Sequence, residues 1–173
     1  MADRGVGGMA GFLSYSLHRV DKKGRVSVPA QYRALLLNGD KSFICFPSLL
    51  GPWLQGVTPK LMQAFMERQN ALGAFSGMVE AYPTLVFSQA VEMIPDTDGR
   101  IVLPAELLAH ARIEEDIAFV GQGLYFSMWS PALFEEEKVR LRERALAERA
   151  SWVTPEMAAG HTHAVNMTSG GEA

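Results

Sequence analysis

Val20-Asp21-Lys22-Lys23-Gly24-Arg25-Val26-Ser27-Val28-Pro29-Ala30 decides the reading of this chain, because the chain contains it twice. The second copy, offset so that Asp21 corresponds to Asp96, is Pro95-Asp96-Thr97-Asp98-Gly99-Arg100-Ile101-Val102-Leu103-Pro104-Ala105. Both obey one pattern: Asp-x-x-Gly-Arg, then apolar-x-apolar, then Pro-Ala. An internal repeat constrains the architecture before any single element does. In each copy the glycine, Gly24 or Gly99, falls where a tight turn needs a residue tolerant of positive φ. Val26 and Val28 alternate with Arg25 and Ser27 at the period of a half-buried strand, and Ile101 and Leu103 repeat the alternation. Pro29 and Pro104 stop the strand and suit the first turn of a helix. Each copy reads as strand, tight turn, strand, short helix.

Working outward, Phe12 to Arg19 is expected as the first strand, with Leu13, Tyr15 and Leu17 on one face and Ser14, Ser16 and His18 on the other. Ala30 to Leu37 is a short helix stopped by Asn38-Gly39, and Lys41 to Phe46 a third strand. Pro47-Ser48 is expected to open a helical turn carrying Leu49, Leu50, Trp53 and Leu54. Thr58 caps a longer helix that begins at Pro59 and runs to about Gly73, with Leu61, Met62, Phe65, Met66 and Leu72 on its apolar face. Gly73 to Gly77 separates the halves. By correspondence with the first copy, Thr84 to Ile94 is expected as a strand and Glu106 to Ala111 as a helix. A hairpin over Ile117 to Trp129 follows, turning at Gly121-Gln122-Gly123. A last helix starts at Ser130-Pro131, its Glu135 to Glu137 preceding five basic residues, an order that suits the helix dipole and allows pairs such as Glu136–Arg140.

These two marked turns, each followed by Pro-Ala, resemble the MraZ family of bacterial transcription regulators, whose halves are similar to the swapped-hairpin domain of AbrB and SpoVT. The resemblance covers residues 12 to 152. It implies an α+β, mostly β fold: a small double-split β-barrel formed by two tandem swapped-hairpin repeats with short flanking helices. A lone half would expose the apolar faces of its hairpins, whereas two halves can interdigitate and cover them. The expected divisions are a disordered leader over 1–11, the first repeat over 12–57, a connecting helix and linker over 58–82, the second repeat over 83–130, a C-terminal helix over 131–152 and a disordered tail over 153–173. Family members begin close to the first strand, which makes Met9 as well as Met1 a candidate start.

The two copies differ in charge. From His18 to Arg33 stand Arg19, Lys22, Lys23, Arg25 and Arg33 against one acid, Asp21. From Glu92 to Leu107 stands Arg100 alone against Glu92, Asp96, Asp98 and Glu106. Lysines and an arginine projecting from a turn can reach phosphates and base edges, and arginine can make a bidentate contact with guanine. Arg19, Lys22, Lys23, Arg25 and Arg33 are therefore the candidate DNA-binding residues. Asp21, Gly24, Asp96, Gly99 and Arg100 are expected to brace the turns, since Asp96 and Asp98 would repel a phosphate.

Across all 173 residues the formal net charge is −3, against what a uniformly basic nucleic-acid binder carries. A ring of subunits, each presenting one basic turn on a common face, would answer that objection. The resemblance implies such a ring, of about 8 to 12 subunits, on closed heterologous contacts. It further implies a cytoplasmic, nucleoid-associated regulator, a repressor of the division and cell-wall gene cluster containing its own gene, binding short direct repeats in double-stranded DNA.

The single cysteine, Cys45, cannot form an internal disulfide and lies in an apolar strand, as a buried small hydrophobe would. No apolar run approaches a membrane span. Asp96-Thr97-Asp98-Gly99 lacks the further ligands of a calcium loop, where Leu107 stands in place of the closing glutamate. His161 and His163 have no nearby partners, His18 and His110 are isolated, and no nucleophile elbow, phosphate loop or zinc spacing is present. No cofactor, metal or small-molecule substrate is expected, and no enzymatic activity. The alternative in a different class is an antitoxin-like protein-interaction module acting through the C-terminal helix and tail.

Overall fold

A computed structural model describes residues 11–71, 73 and 81–152. The chain forms two compact units divided between Phe134 and Glu135. In the first unit the elements run β1 (Tyr15–Arg19), β2 (Arg25–Ser27), α1 (Ala30–Leu37), β3 (Phe43–Pro47), β4 (Leu54–Val57), α2 (Pro59–Ala71), α3 (Ala81–Gln89), β5 (Val91–Met93), β6 (Arg100–Val102), α4 (Ala105–His110), β7 (Asp116–Gly121) and β8 (Tyr125–Trp129). The helix α5 (Pro131–Trp152) starts in this unit and supplies the described part of the second. The mixed α+β character expected from the sequence is present.

The two halves of the repeat interleave. One antiparallel sheet has the order β1-β7-β8-β4-β3-β5, and a second pairs β2 with β6. Thus β1 of the first half lies on β7 of the second, with Leu17 opposite Ala118. Reciprocally, β5 of the second half lies on β3 of the first, with Phe43 opposite Met93. At the centre Val26 faces Ile101, and both are buried with Val28 and Leu103. The backbone repeats the symmetry: Val28 N–H donates to Gly99 O at 2.9 Å, and Leu103 N–H donates to Gly24 O at 2.9 Å. Burial of alternate apolar residues on this ribbon requires both copies, which is why one could not stand alone.

The main core is aromatic and shared. Phe12, Tyr32 and Phe43 from the first half meet Phe119 and Phe126 from the second, with ring centroids 5.1 Å apart for Phe12–Tyr32 and 5.0 Å for Tyr32–Phe126. Tyr32 is fully buried, and burial pushes its hydroxyl up to about 12. Cys45 lies in this core as expected, its thiol raised well above the ordinary range by desolvation. On the other face of β3 and β4, Met62 of α2 and Val86 of α3 pack with Val57, Ile44 and Phe46. Thr58 Oγ1 accepts from Leu61 N–H at 3.2 Å, the cap anticipated for α2. Trp53 and Trp129 stack at 4.2 Å beside Phe134.

Four local expectations are corrected. The first strand begins at Tyr15, because Ser14 takes φ 74 and interrupts it; Phe12 retains only an isolated bridge to Gly123. Its two faces separate as expected, but the side carrying Ser16 and His18 turns toward Phe119, leaving Leu13, Tyr15 and Leu17 exposed. Leu54 does not belong to a helical turn: it opens β4, paired with β3 and β8. Residues 84–89 are helical, in α3, and only Val91–Met93 form the strand. A short apolar run does not distinguish helix from strand by periodicity, and here Val86 reaches the α2 cluster from a helix. In α5, Arg140 pairs with Glu137 at 3.4 Å, not with Glu136, and Lys138 pairs with Glu135 at 2.7 Å. The leader apart from Gly11, the tail from 153, Leu72 and residues 74–80 lie outside the described residues.

Candidate nucleic-acid interface

Both turns are built by the same hydrogen bonds. Gly24 N–H donates to Asp21 O at 2.9 Å and Asp21 N–H to Arg25 O at 3.0 Å; Gly99 and Asp96 repeat these at 2.9 and 2.8 Å. Asp21 Oδ1 accepts from the N–H groups of Lys23 at 2.8 Å and Arg25 at 2.9 Å. Asp96 Oδ1 accepts from Asp98 at 2.9 Å and Arg100 at 2.8 Å. Gly24 at φ 77 and Gly99 at φ 75 occupy the left-handed region, as the sequence pattern requires. Asp21 is therefore a turn-building residue. The Arg25 N–H, then the Arg25 side chain, hold its carboxyl down at about 2; the Arg100 N–H is the largest influence lowering Asp96.

The arginines are treated differently by their turns. Arg25 Nε donates to Asp21 Oδ2 at 2.7 Å, orienting a half-exposed guanidinium. Arg100 Nε is 3.5 Å from Asp96 Oδ2, and its Nη2 also pairs with Asp98. One carboxylate orients Arg25; two surround Arg100. Lys22 and Lys23 are exposed on the first turn, with no side-chain hydrogen bond or ion pair among the described residues. Because Arg25 faces Val102 and Ser27 faces Arg100 across the β2–β6 ribbon, both arginines lie on its outer face. With Arg19, Lys22, Asp21 and Glu115 they line an open cleft of ≈ 510 Å³.

Arg33 is placed elsewhere. It lies over Gly99 on the second turn, where a Cβ on that glycine would run into its guanidinium. Leu108, the counterpart of Arg33 in the second copy, lies beside Gly24. Each turn is thus covered from the opposite half, the acidic one by a cation and the basic one by an apolar side chain. Arg19, at the end of β1, meets acids that sequence reading missed: Nη2 is 2.9 Å from Glu115 Oε2, and Nε is 3.9 Å from Asp116 Oδ1. Their proximity follows from the β1–β7 register, which places Arg19 opposite Asp116. Local sequence carries no signal for a pairing that distant.

Other candidates are accounted for among the described residues. His18 packs on Phe119 at 5.3 Å, and burial lowers its pKa. His110 Nε2 lies 3.1 Å from Gly51 O. Among the described residues, no group of three or more His, Cys, Asp or Glu could hold a metal ion, and no helix is long and apolar enough to cross a membrane. His161 and His163 lie outside the described residues.

A family model described as "MraZ protein" with the qualifier "antitoxin-like" matches residues 86–151. A protein named transcriptional regulator MraZ from Pelagibacter ubique (strain HTCC1062) is 37% identical over 141 residues, covering 81% of this chain and 91% of that one. One of the same name from Rickettsia akari (strain Hartford) is 39% identical over 128 residues, covering 72% and 85%. Another, from Rickettsia bellii (strain OSU 85-389), is 37% identical over 129 residues, again covering 72% and 85%.

Proposed function

The chain belongs to the MraZ family, and from that premise we propose that it is a sequence-specific DNA-binding regulator of transcription. The observation that carries this reading is the first turn, where Asp21 orients Arg25 beside the exposed Lys22 and Lys23. Lysines on such a turn hold phosphates, while an arginine fixed at one end can address a base edge with the other. Arg25 is the reading residue, Lys22, Lys23 and Arg19 are positioning cations, and Arg33, lying over Gly99, adds positive charge beside the second turn. The interleaved ribbon is read as a swapped-hairpin, double-split barrel carrying two unequal DNA-facing turns, within repeats at 12–57 and 83–130.

The reading extends to assembly. Tyr15 and Leu17 on edge strand β1, with Leu13 just before it, are exposed apolar side chains of the kind that contacts between chains cover. A ring joined through such surfaces would set several basic turns along one arc, so that short direct repeats upstream of its own division and cell-wall cluster are engaged together and the promoter is occluded. The protein would then act in the cytoplasm, on the nucleoid, as a repressor.

Fluorescence anisotropy on the DNA upstream of its own gene and on a shuffled control, across a salt series, tests this. Preference for the native DNA on the order of a thousandfold is expected, with Arg25→Ala losing about 1–3 kcal/mol of binding and Arg100→Ala less. Equal, weak binding to both DNAs would overturn it. Tight specific binding by a monomer would overturn the ring. A second reading, an antitoxin-like protein-binding module, is favoured by an apolar groove of ≈ 620 Å³ lined by Phe46, Leu50, Leu61, Phe65 and Tyr82. DNA indifference together with a stable protein complex would select it.

A further inference from the structure

Arg19 lies in the cleft beside Lys22 and Arg25, where a third cation would strengthen any contact with a phosphate backbone. Unlike Lys22 and Lys23, it is ion-paired. Glu115 takes its Nη2 at 2.9 Å, and Asp116 stands 3.9 Å from its Nε. Both acids belong to the other half of the chain. Their position is fixed by the backbone: Val20 N–H donates to Glu115 O at 2.7 Å, and Arg19 pairs with Asp116 in the β1–β7 ladder. The backbone of Glu115 is therefore held at the entrance of the basic turn, with its carboxylate within reach of Arg19. At the same time, the Arg19 and Glu115 side chains are 76% and 77% exposed, so water screens their ion pair and a phosphate can exchange with it.

We propose that Glu115 is an electrostatic latch that keeps Arg19 from DNA phosphates until the first turn is seated on its proper sequence. This rests on the DNA-binding reading above and adds a specificity-determining residue to it. On unrelated DNA the turn makes loose contacts, the Glu115 carboxylate repels the backbone, and Arg19 stays with its protein partner. On the correct site, Arg25 and the lysines bring a phosphate close enough to replace Glu115, and Arg19 adds one contact. The latch thus weakens binding to wrong DNA more than binding to right DNA, which is what discrimination requires.

The test is anisotropy of the full-length protein on native and shuffled DNA at several salt concentrations, comparing wild type, Glu115→Gln and Glu114→Gln. Glu114 is a neighbouring exposed acid, so its neutralisation changes net charge equally without touching the latch. Glu115→Gln is expected to tighten binding to shuffled DNA about three- to tenfold at low salt and to steepen its salt slope by about 0.9, the signature of one added phosphate contact. Binding to native DNA should change by less than about twofold, so the preference narrows. In an Arg19→Gln background, Glu115→Gln should lose that effect. Equal responses to Glu115→Gln and Glu114→Gln, or an effect that persists without Arg19, overturn the latch. Failure of wild type to prefer native DNA instead overturns the DNA-binding reading itself, so the two failures are distinguishable.

Discussion

Gly24 and Gly99 share a backbone conformation but not a neighbour. A Cβ at Gly24 would meet Leu103 O at 2.5 Å, a backbone atom held in the central ribbon, whereas at Gly99 it would meet the flexible end of Arg33. Both alanine variants incur the left-handed penalty of about 1–2 kcal/mol. Gly24→Ala is expected to cost clearly more than Gly99→Ala, because only a side chain has to move in the second. Urea unfolding midpoints of the two variants give the order. The turn carboxylates make a further prediction. Asp21 has its folded pKa depressed to about 2 from an ordinary value of 3.8, so its contribution is full above about 4. It disappears as pH falls toward 2, because the unfolded chain binds the proton first. Acid titration of stability should therefore be shallower for Asp21→Asn than for wild type across that interval. An equally steep loss in both proteins would count against the Asp21 network as a source of acid sensitivity.

At the scale of elements, helix α3 has one fully buried residue, Val86. Val86 is 1% exposed and packs with Met62 and Val57, while Leu85 is exposed and the Phe87 ring lies 5.5 Å from that of Phe65. Val86→Ala is expected to destabilise by about 1.5–3 kcal/mol, and Leu85→Ala by far less, in the same unfolding measurement. This helix also marks where sequence was insufficient. Around the turns, glycine, proline and strict alternation have local physical meanings, and β2, α1, β6 and α4 followed from them. The segment Thr84 to Gln89 has only a mixed apolar run, and its correspondence with β1 suggested a strand; packing against α2 decides for a helix. Likewise β4 hides between Trp53 and Thr58 because its partners β3 and β8 are set by the interleaving, not by its own residues. The site divides the same way. Asp21, Gly24 and Arg25 were legible as a turn, but the contacts of Arg19 with Glu115 and of Arg33 with Gly99 depend on which strands of the two halves lie side by side.

At the scale of the molecule, the first unit has one aromatic core supplied by both halves, so neither half can lose its structure alone. Urea unfolding of that unit, followed through the stacked Trp53 and Trp129 and by backbone circular dichroism, is expected to show one shared midpoint. Val26→Ala and Ile101→Ala, on opposite sides of the central pair, should move that same midpoint. Separate transitions for the two probes would mean that the halves are energetically independent. The pairing of β1 with β7 has a consequence during synthesis. Residues 15–19 leave the ribosome well before residues 116–121 exist. At about 5–20 residues per second, the first strand waits roughly 5–20 s for its partner. Throughout that interval the nascent chain carries an unpaired strand bearing Tyr15 and Leu17, and another copy emerging from the same messenger could occupy it first.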